Sequence, residues 1–215
     1  MGPVSNDPPG LFDNTMELLN ARRFLAFALL LPLAACSGGD APPAEGEAGA
    51  AVQPVMSAQP GSVPTLETAA SLGVMNARMP QEGLLTAGQL TQEQFDALAD
   101  AGYENFISLR LPEENGAGWE EAHAAATGAS FTRLAVPGAD GLNRETVEEL
   151  ARILDQAGEN TVLYCGSSNR VGALLALKAH WVDGMSAEEA LEVGRAGGMT
   201  RLEPAVVDIL SGVER

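Results

Sequence analysis

From about residue 83 onward, short apolar runs alternate with longer stretches in which apolar residues recur at helical spacing. Leu84 to Thr86 reads as a short strand. Thr91 and Gln94 stand at the spacing of a capping box, and Phe95, Leu98 and Ala99 then line one helical face, with Gly102 as a stop. Phe106 to Leu109 is a second apolar run, ending at Arg110. Trp119, Ala122, His123 and Ala126 predict a helix over 118–127. Phe131 to Val136 predicts another strand, stopped by Pro137 and Gly138. Asn143 is placed to cap a helix running through Gln156, with Val147, Leu150, Ala151 and Leu154 inward. Thr161 to Tyr164 is the next strand, and the helix after it, over 170–182, is apolar nearly all round and therefore expected to be buried. Ser186 and Glu189 form a second capping box, opening a helix to about Arg195, and a last helix is expected over 203–211. Strands alternating with helices predict an α/β domain, a mostly parallel central sheet with helices on both faces. Ligands in such sheets sit at the carboxyl ends of the strands, which is where Cys165 falls.

The pattern before residue 73 is different. Arg22 and Arg23 precede the apolar run FLAFALLLPLAAC, residues 24–36, which is short for a membrane span. LAAC resembles the lipobox of bacterial lipoproteins, in which the cysteine is lipidated and becomes the new N-terminus. Residues 1–36 are therefore expected to be a signal peptide with a lipobox, with Met16 as the expected start and Cys36 as the lipidated residue. A plain signal peptide cut before a free cysteine is the alternative. The domain is expected to be exported and lipid-anchored to a bacterial membrane, inner or outer, facing the periplasm or the cell exterior. Residues 37–72 are rich in Pro, Ala, Gly and acids and hold no hydrophobic period, so a disordered tether is expected there. Residues 73–215 remain for one domain with a real core.

Charge narrows the partners. The formal net charge of −17 argues against nucleic acid and against anionic membrane surfaces. An anionic substrate then requires a site that concentrates its own positive potential. No Walker loop and no GxGxxG is present, and His123 and His180, the only histidines, stand at no metal-ligand spacing. Both are expected to be structural or surface residues, and no cofactor or metal is expected.

The chemistry concentrates in CGSSNR, residues 165–170. A loop between a strand and a helix N-terminus exposes backbone N–H groups, and the helix dipole makes them an anion site. Gly166, Ser167, Ser168 and Asn169 are small enough to curl round a ligand, and Arg170 adds a planar fork suited to phosphate or sulfur oxyanions. A thiolate on Cys165 would be a nucleophile aimed at a bound tetrahedral group. The competing reading is a buried, inert cysteine that packs at the strand end.

Residues 80–211 resemble the tyrosine-phosphatase-like domain of beta-lactamase-hydrolase-like proteins, a divergent branch of the dual-specificity phosphatases. The similar stretches are LTAGQLTQEQFDALADAGYENFISLR, RLAVPGADGLNRETVEEL and VLYCGSSNRVGALLALKAHWVDGMSAEEALEVGRAGGMTRLEP. The resemblance implies a phosphatase-like α/β fold and a phosphocysteine intermediate. It implies Cys165 as nucleophile, Arg170 as oxyanion clamp and Asp140, in GADG, as general acid, with a turn residue as the alternative role for Asp140. The chain departs from the pattern in four places. Four residues separate Cys165 from Arg170 where tyrosine phosphatases have five, a length also found in rhodanese-like sulfurtransferases. Tyr164 replaces the usual His, Ser168 stands where this branch has Gly, and Val171 replaces the hydroxyl residue after the Arg, a role for which Ser167 or Ser168 are substitutes. Three readings stay open: a phosphatase for phosphorylated or other oxyanionic substrates, a sulfurtransferase carrying a persulfide on Cys165, and a non-catalytic lipoprotein domain that binds an anion or a protein.

Overall fold

The structure, a computed structural model, describes residues 65–212. The signal segment, Cys36 and nearly all of the tether lie outside the described residues. Five strands, β1 (Arg78–Gln81), β2 (Leu84–Ala87), β3 (Asn105–Ser108), β4 (Ser130–Arg133) and β5 (Thr161–Tyr164), form one sheet in the order β1-β2-β5-β3-β4. Only β1 is antiparallel; β2, β5, β3 and β4 run parallel, with Cα partners such as Ala87–Tyr164 and Ser108–Tyr164. The α/β architecture expected from the alternating pattern is therefore present.

Because side chains alternate across a strand, β2, β3 and β5 each feed two cores. Leu84, Ile107 and Leu163 face a cluster with the buried residues of α4 (Arg144–Ala157), α5 (Asn169–Trp181) and α7 (Glu203–Leu210). Leu85, Phe106, Val162 and Tyr164 face a second cluster with α1 (Leu66–Ser71), α2 (Gln92–Asp100) and α3 (Glu120–Thr127). α5 is buried on nearly every side, as its sequence predicts. It meets α6 (Ala187–Ala196) so closely at Gly172 that a Cβ there would lie 2.2 Å from the Met199 amide nitrogen and 2.4 Å from the Gly194 carbonyl oxygen. Both expected capping boxes are formed, at Thr91/Gln94 and Ser186/Glu189, and Asn143 caps α4.

Three expectations change. Leu66–Ser71 falls within the stretch expected to be a tether, yet it forms α1, capped by Thr65, with Ala69 fully buried. Gln94 Nε2 donates to the carbonyls of Leu72 (3.2 Å) and Gly73 (3.0 Å), fastening the end of α1 to α2. The folded unit thus starts ahead of residue 73; so short a helix, buried through so few side chains, leaves little periodic signal. β1 was not expected at all, since Pro80 interrupts its run; Pro is tolerated there because β1 is an edge strand. β4 stops at Arg133 rather than Val136, although Leu134 N–H still donates to the Ser108 carbonyl (2.9 Å) and Val136 N–H to that of Leu109 (3.2 Å).

The histidines have structural roles. His123 Nε2 lies 2.7 Å from Asp96 Oδ1 and its ring packs edge-on against Phe95 and Trp119. His180 Nδ1 lies 2.8 Å from the Met185 carbonyl oxygen. Among the described residues no helix is long and apolar enough to cross a membrane.

Candidate active site

β5 is the central strand, and its carboxyl end carries Cys165 into the N-terminus of α5. The loop between them is fixed from outside. Gln89 N–H donates to the Gly166 carbonyl (3.3 Å), and Asn76 Nδ2 donates to the Ser167 carbonyl (3.1 Å). Among the described residues, the backbone amides of Gly166, Ser167, Asn169 and Arg170 donate to no backbone carbonyl. Unpaired N–H groups at the start of a buried helix are suited to holding an anion, an effect reinforced by the helix dipole.

Ser168 explains how the loop turns. Its φ of 65° lies in the left-handed region, the conformation that glycine adopts without cost. Its hydroxyl donates to the Gly197 carbonyl (2.9 Å) and it is fully buried, so it is not free to assist chemistry. Of the two hydroxyls considered as substitutes at Val171, only that of Ser167 borders the open concavity. Asn169 uses its side-chain Oδ1 to accept from the Thr200 amide (2.8 Å), the Thr200 hydroxyl (3.1 Å) and the Leu202 amide (3.2 Å).

Cys165 is buried, with 1% of its surface exposed. Arg170 is held on two sides. Its Nη1 donates to the carbonyls of Leu109 (3.2 Å) and Val136 (2.9 Å), and both terminal nitrogens donate to Glu114, at 2.5 Å and 2.7 Å. The Glu114 hydrogen bonds raise the Arg170 pKa against an opposing effect of burial, and the Cys165 sulfur raises it further. In return Arg170 pulls the Glu114 carboxyl down to about 2. Sequence reasoning missed Glu114, which reads as one acid among several in the polar stretch PEENGAGWEE.

A buried arginine delivers Glu114. Arg110, 2% exposed, donates to the carbonyls of Gly116 (2.8 Å) and Asn115 (2.6 Å), folding residues 111–117 back over the strand ends. Its charge is met by the fully buried Glu120 (3.2 Å), which also takes Arg133 (3.0 Å) and the Ser108 hydroxyl (2.9 Å). Three cations, Arg110, Arg133 and Arg170, and three carboxylates, Glu114, Glu120 and Glu121, thus form one linked set of ion pairs.

Gly166, Ser167, Asn169, Arg170, Arg201 and Leu202 line a concavity above the loop, closed on one side by Gly138. Asp140 sits on the same 3-10 turn as Gly138 (Gly138–Gly141); it is exposed and is not among the lining residues. Cys165, Arg170 and the loop amides are therefore brought together, Asp140 flanks them, and Cys36 lies outside the described residues. Arg201, also missed in the sequence, lines the same space. Among the described residues no group of His, Cys, Asp and Glu side chains could hold a metal ion.

No protein-family profile matches the chain, and no curated protein matches it. Solved structures do. A candidate phosphatase (DUF442) from Shewanella putrefaciens shares 18% identity with a TM-score of 0.53, over 72% of this chain and 97% of its own. A candidate phosphatase from Neisseria meningitidis shares 21% identity with a TM-score of 0.53, over 64% of this chain and 97% of its own. Pseudomonas aeruginosa TpbA, solved in complex with pTyr, shares 16% identity with a TM-score of 0.51, over 65% of this chain and 85% of its own. At these identities the likeness is one of fold: the domain has the tyrosine-phosphatase-like α/β fold.

Proposed function

We propose that the chain is a cysteine-dependent phosphatase acting on phosphomonoesters through a phosphocysteine. The observation that carries this reading is the setting of Arg170, which Glu114 holds at the start of α5, five residues after Cys165 and on the same loop as the unpaired backbone amides. The fold shared with phosphatases, one of them solved with pTyr, supports a phosphorylated substrate. The finer kinship suggested by the sequence, to the phosphatase-like domain of beta-lactamase-hydrolase-like proteins, belongs to the same proposal.

In the proposed reaction the loop amides and Arg170 hold the phosphoryl oxygens and offset their charge in the transition state. The Cys165 thiolate attacks phosphorus in line, forming a P–S bond as the P–O bond to the leaving group breaks. The leaving oxygen takes its proton from Asp140. Water then attacks phosphorus, gives its proton to the Asp140 carboxylate and releases inorganic phosphate with the thiolate restored. Ser167, which lines the concavity, is the residue proposed to assist that departure with its hydroxyl.

One observation favours a second reading. The four-residue loop between Cys165 and Arg170 is the length found in rhodanese-like sulfurtransferases. There Cys165 would take the outer sulfur of thiosulfate as a persulfide, releasing sulfite, and pass it to cyanide as thiocyanate. Parallel assays with p-nitrophenyl phosphate and with thiosulfate plus cyanide separate the two, with Cys165→Ser as control. The expected outcome is Cys165-dependent phosphate release alone. Thiocyanate formation without phosphate release overturns it, and silence in both assays leaves a binding module.

The site is further proposed to work outside the cytoplasm, on a domain tethered to a membrane by a lipid on Cys36. Fatty-acid labelling should be lost in Cys36→Ala; equal labelling of the variant refutes the anchor.

A further inference from the structure

The charge balance of the concavity points past a single phosphate. Arg170 is matched by Glu114, and within the linked set the three arginines face three carboxylates. The wall holds one more cation. Arg201, which is exposed, lines the concavity and, among the described residues, enters no ion pair. Most of the described cations are otherwise paired: Arg144, Arg152, Lys178 and Arg195 all have acidic partners. Arg78, on the edge strand β1, is the other described cation without an ion pair, but it does not line this concavity; Arg201 is the unpaired guanidinium beside the anion cradle.

Its placement is built rather than incidental. The residues on either side of Arg201 are fixed to the Cys loop, because Thr200 and Leu202 both donate backbone N–H groups to Asn169 Oδ1, at 2.8 and 3.2 Å. Asn169 directly precedes Arg170, so one side chain sets the spacing of the two guanidinium-bearing segments. Glu203 N–H donates to the Thr200 carbonyl (3.1 Å), which keeps Arg201 at the apex of a turn.

Resting on the phosphatase reading, we propose that Arg201 is a specificity-determining residue that binds a second phosphate on the substrate. The reacting phosphate occupies the loop amides and Arg170, and the second is gripped by Arg201 in the same concavity. A compact bisphosphate uses two local cations without bringing further acid against the protein's negative surface, which an acidic phosphopeptide would do. A fork-shaped guanidinium pairs with a phosphate through two parallel hydrogen bonds, so its removal is expected to weaken that contact roughly 10- to 100-fold.

Calorimetric titration of the full chain, carrying Cys165→Ser to prevent turnover, tests this with orthophosphate, pyrophosphate and tripolyphosphate. At least one of the two polyphosphates should bind more tightly than orthophosphate. Arg201→Ala should remove that advantage and leave orthophosphate binding nearly unchanged; Arg201→Lys should restore part of it. Arg152→Ala, an equal charge change on the exposed face of α4, should remove none. The proposal is overturned if the advantage is missing, survives Arg201→Ala, or falls equally in Arg152→Ala. It also fails, in favour of a peptide substrate, if Arg201→Ala weakens only an acidic phosphopeptide. Absence of orthophosphate binding would instead sink the phosphatase reading itself, and this inference with it.

Discussion

Both terminal nitrogens of Arg170 donate to the Glu114 carboxylate, at 2.5 and 2.7 Å, so the one charged side chain in the Cys loop is oriented by a residue 56 positions away. Glu114 is in turn fixed by the Leu111 N–H (2.9 Å) and lies 3.6 Å from the Arg110 Nε. A two-point contact sets the plane of a guanidinium as well as its position, which matters when that plane has to match an oxyanion.

Glu114→Gln should therefore lower kcat far more than it alters substrate affinity, because the neutral amide no longer fixes the Arg170 plane. It should also lower stability, by on the order of 2–3 kcal/mol at neutral pH. The Glu114 pKa falls on folding from 4.5 to about 2, so its stabilisation is complete above about 4.5 and is lost as pH drops toward about 2. Urea unfolding midpoints of parent and variant should thus differ at pH 7, draw together below about pH 4.5 and converge only near about pH 2. A constant difference across that range would show that the carboxylate charge is not what stabilises.

Glu120 makes a harder test of the network. It is fully buried and holds Arg110, Arg133 and Ser108 together. Glu120→Gln leaves two guanidinium groups in the interior with less compensation, and breaking such a set by one partner costs about 3–5 kcal/mol. Since Arg110 also anchors residues 115 and 116, phosphatase activity should fall with stability. Thermal melting alongside turnover checks both; full activity in a destabilised variant would separate the network from the site.

The sequence made the scaffold legible where local chemistry decides structure. Thr91, Asn143 and Ser186 mark helix starts because a capping side chain satisfies nearby amides, a relation contained within four residues. The Cys loop was equally visible, since a strand, small residues and an apolar helix adjoin in the chain. Glu114, Arg110 and Arg201 were not visible as site residues. Glu114 acts through Arg170, 56 positions on; Arg110 acts through loop carbonyls and Glu120 that only the folded loop brings to it; and Arg201 reaches the Cys loop only because Asn169 holds its neighbours, so each looked like any solvated charge. α1 escaped for a related reason: Ala69 becomes a core residue only once α2 is in place beside it.

Ser168 offers a test of the loop's backbone. It holds φ at 65° while its hydroxyl donates to Gly197, and a Cβ on Gly198 would lie 2.7 Å from its own. Ser168→Gly relieves about 1–2 kcal/mol of left-handed strain and loses a hydrogen bond of about 1 kcal/mol, so stability should change little. Ser168→Ala keeps the strain and loses the bond, and should be about 1–3 kcal/mol less stable than the parent. Gly198→Ala should be worse than either, because it adds a clash to a φ of 99°. Denaturant titration ranks the three; Ala outranking Gly at position 168 would refute this account.

Tyr164 precedes Cys165, the proposed nucleophile, at the position where the resemblance read from the sequence expects a histidine. Its ring is fully buried in the core beneath the loop, and its hydroxyl makes no hydrogen bond of acceptable geometry. The neighbouring Ser108 hydroxyl is already committed, donating to Glu120 (2.9 Å) and accepting from the Arg110 N–H (3.3 Å). Burial, seconded by the charge of Glu120, raises the Tyr164 pKa well above its ordinary value, so the phenol stays neutral at any working pH. It therefore supplies neither charge nor proton to Cys165. Tyr164→Phe should leave the pH profile of turnover unchanged and should hold or raise stability, by about 0–1 kcal/mol, since it removes an unsatisfied buried group. Tyr164→His introduces a group that can carry charge, beside Arg110 and Arg133 in the same set, and should destabilise while shifting the pH profile. A loss of activity in Tyr164→Phe at unchanged stability would show instead that the hydroxyl takes part in the reaction.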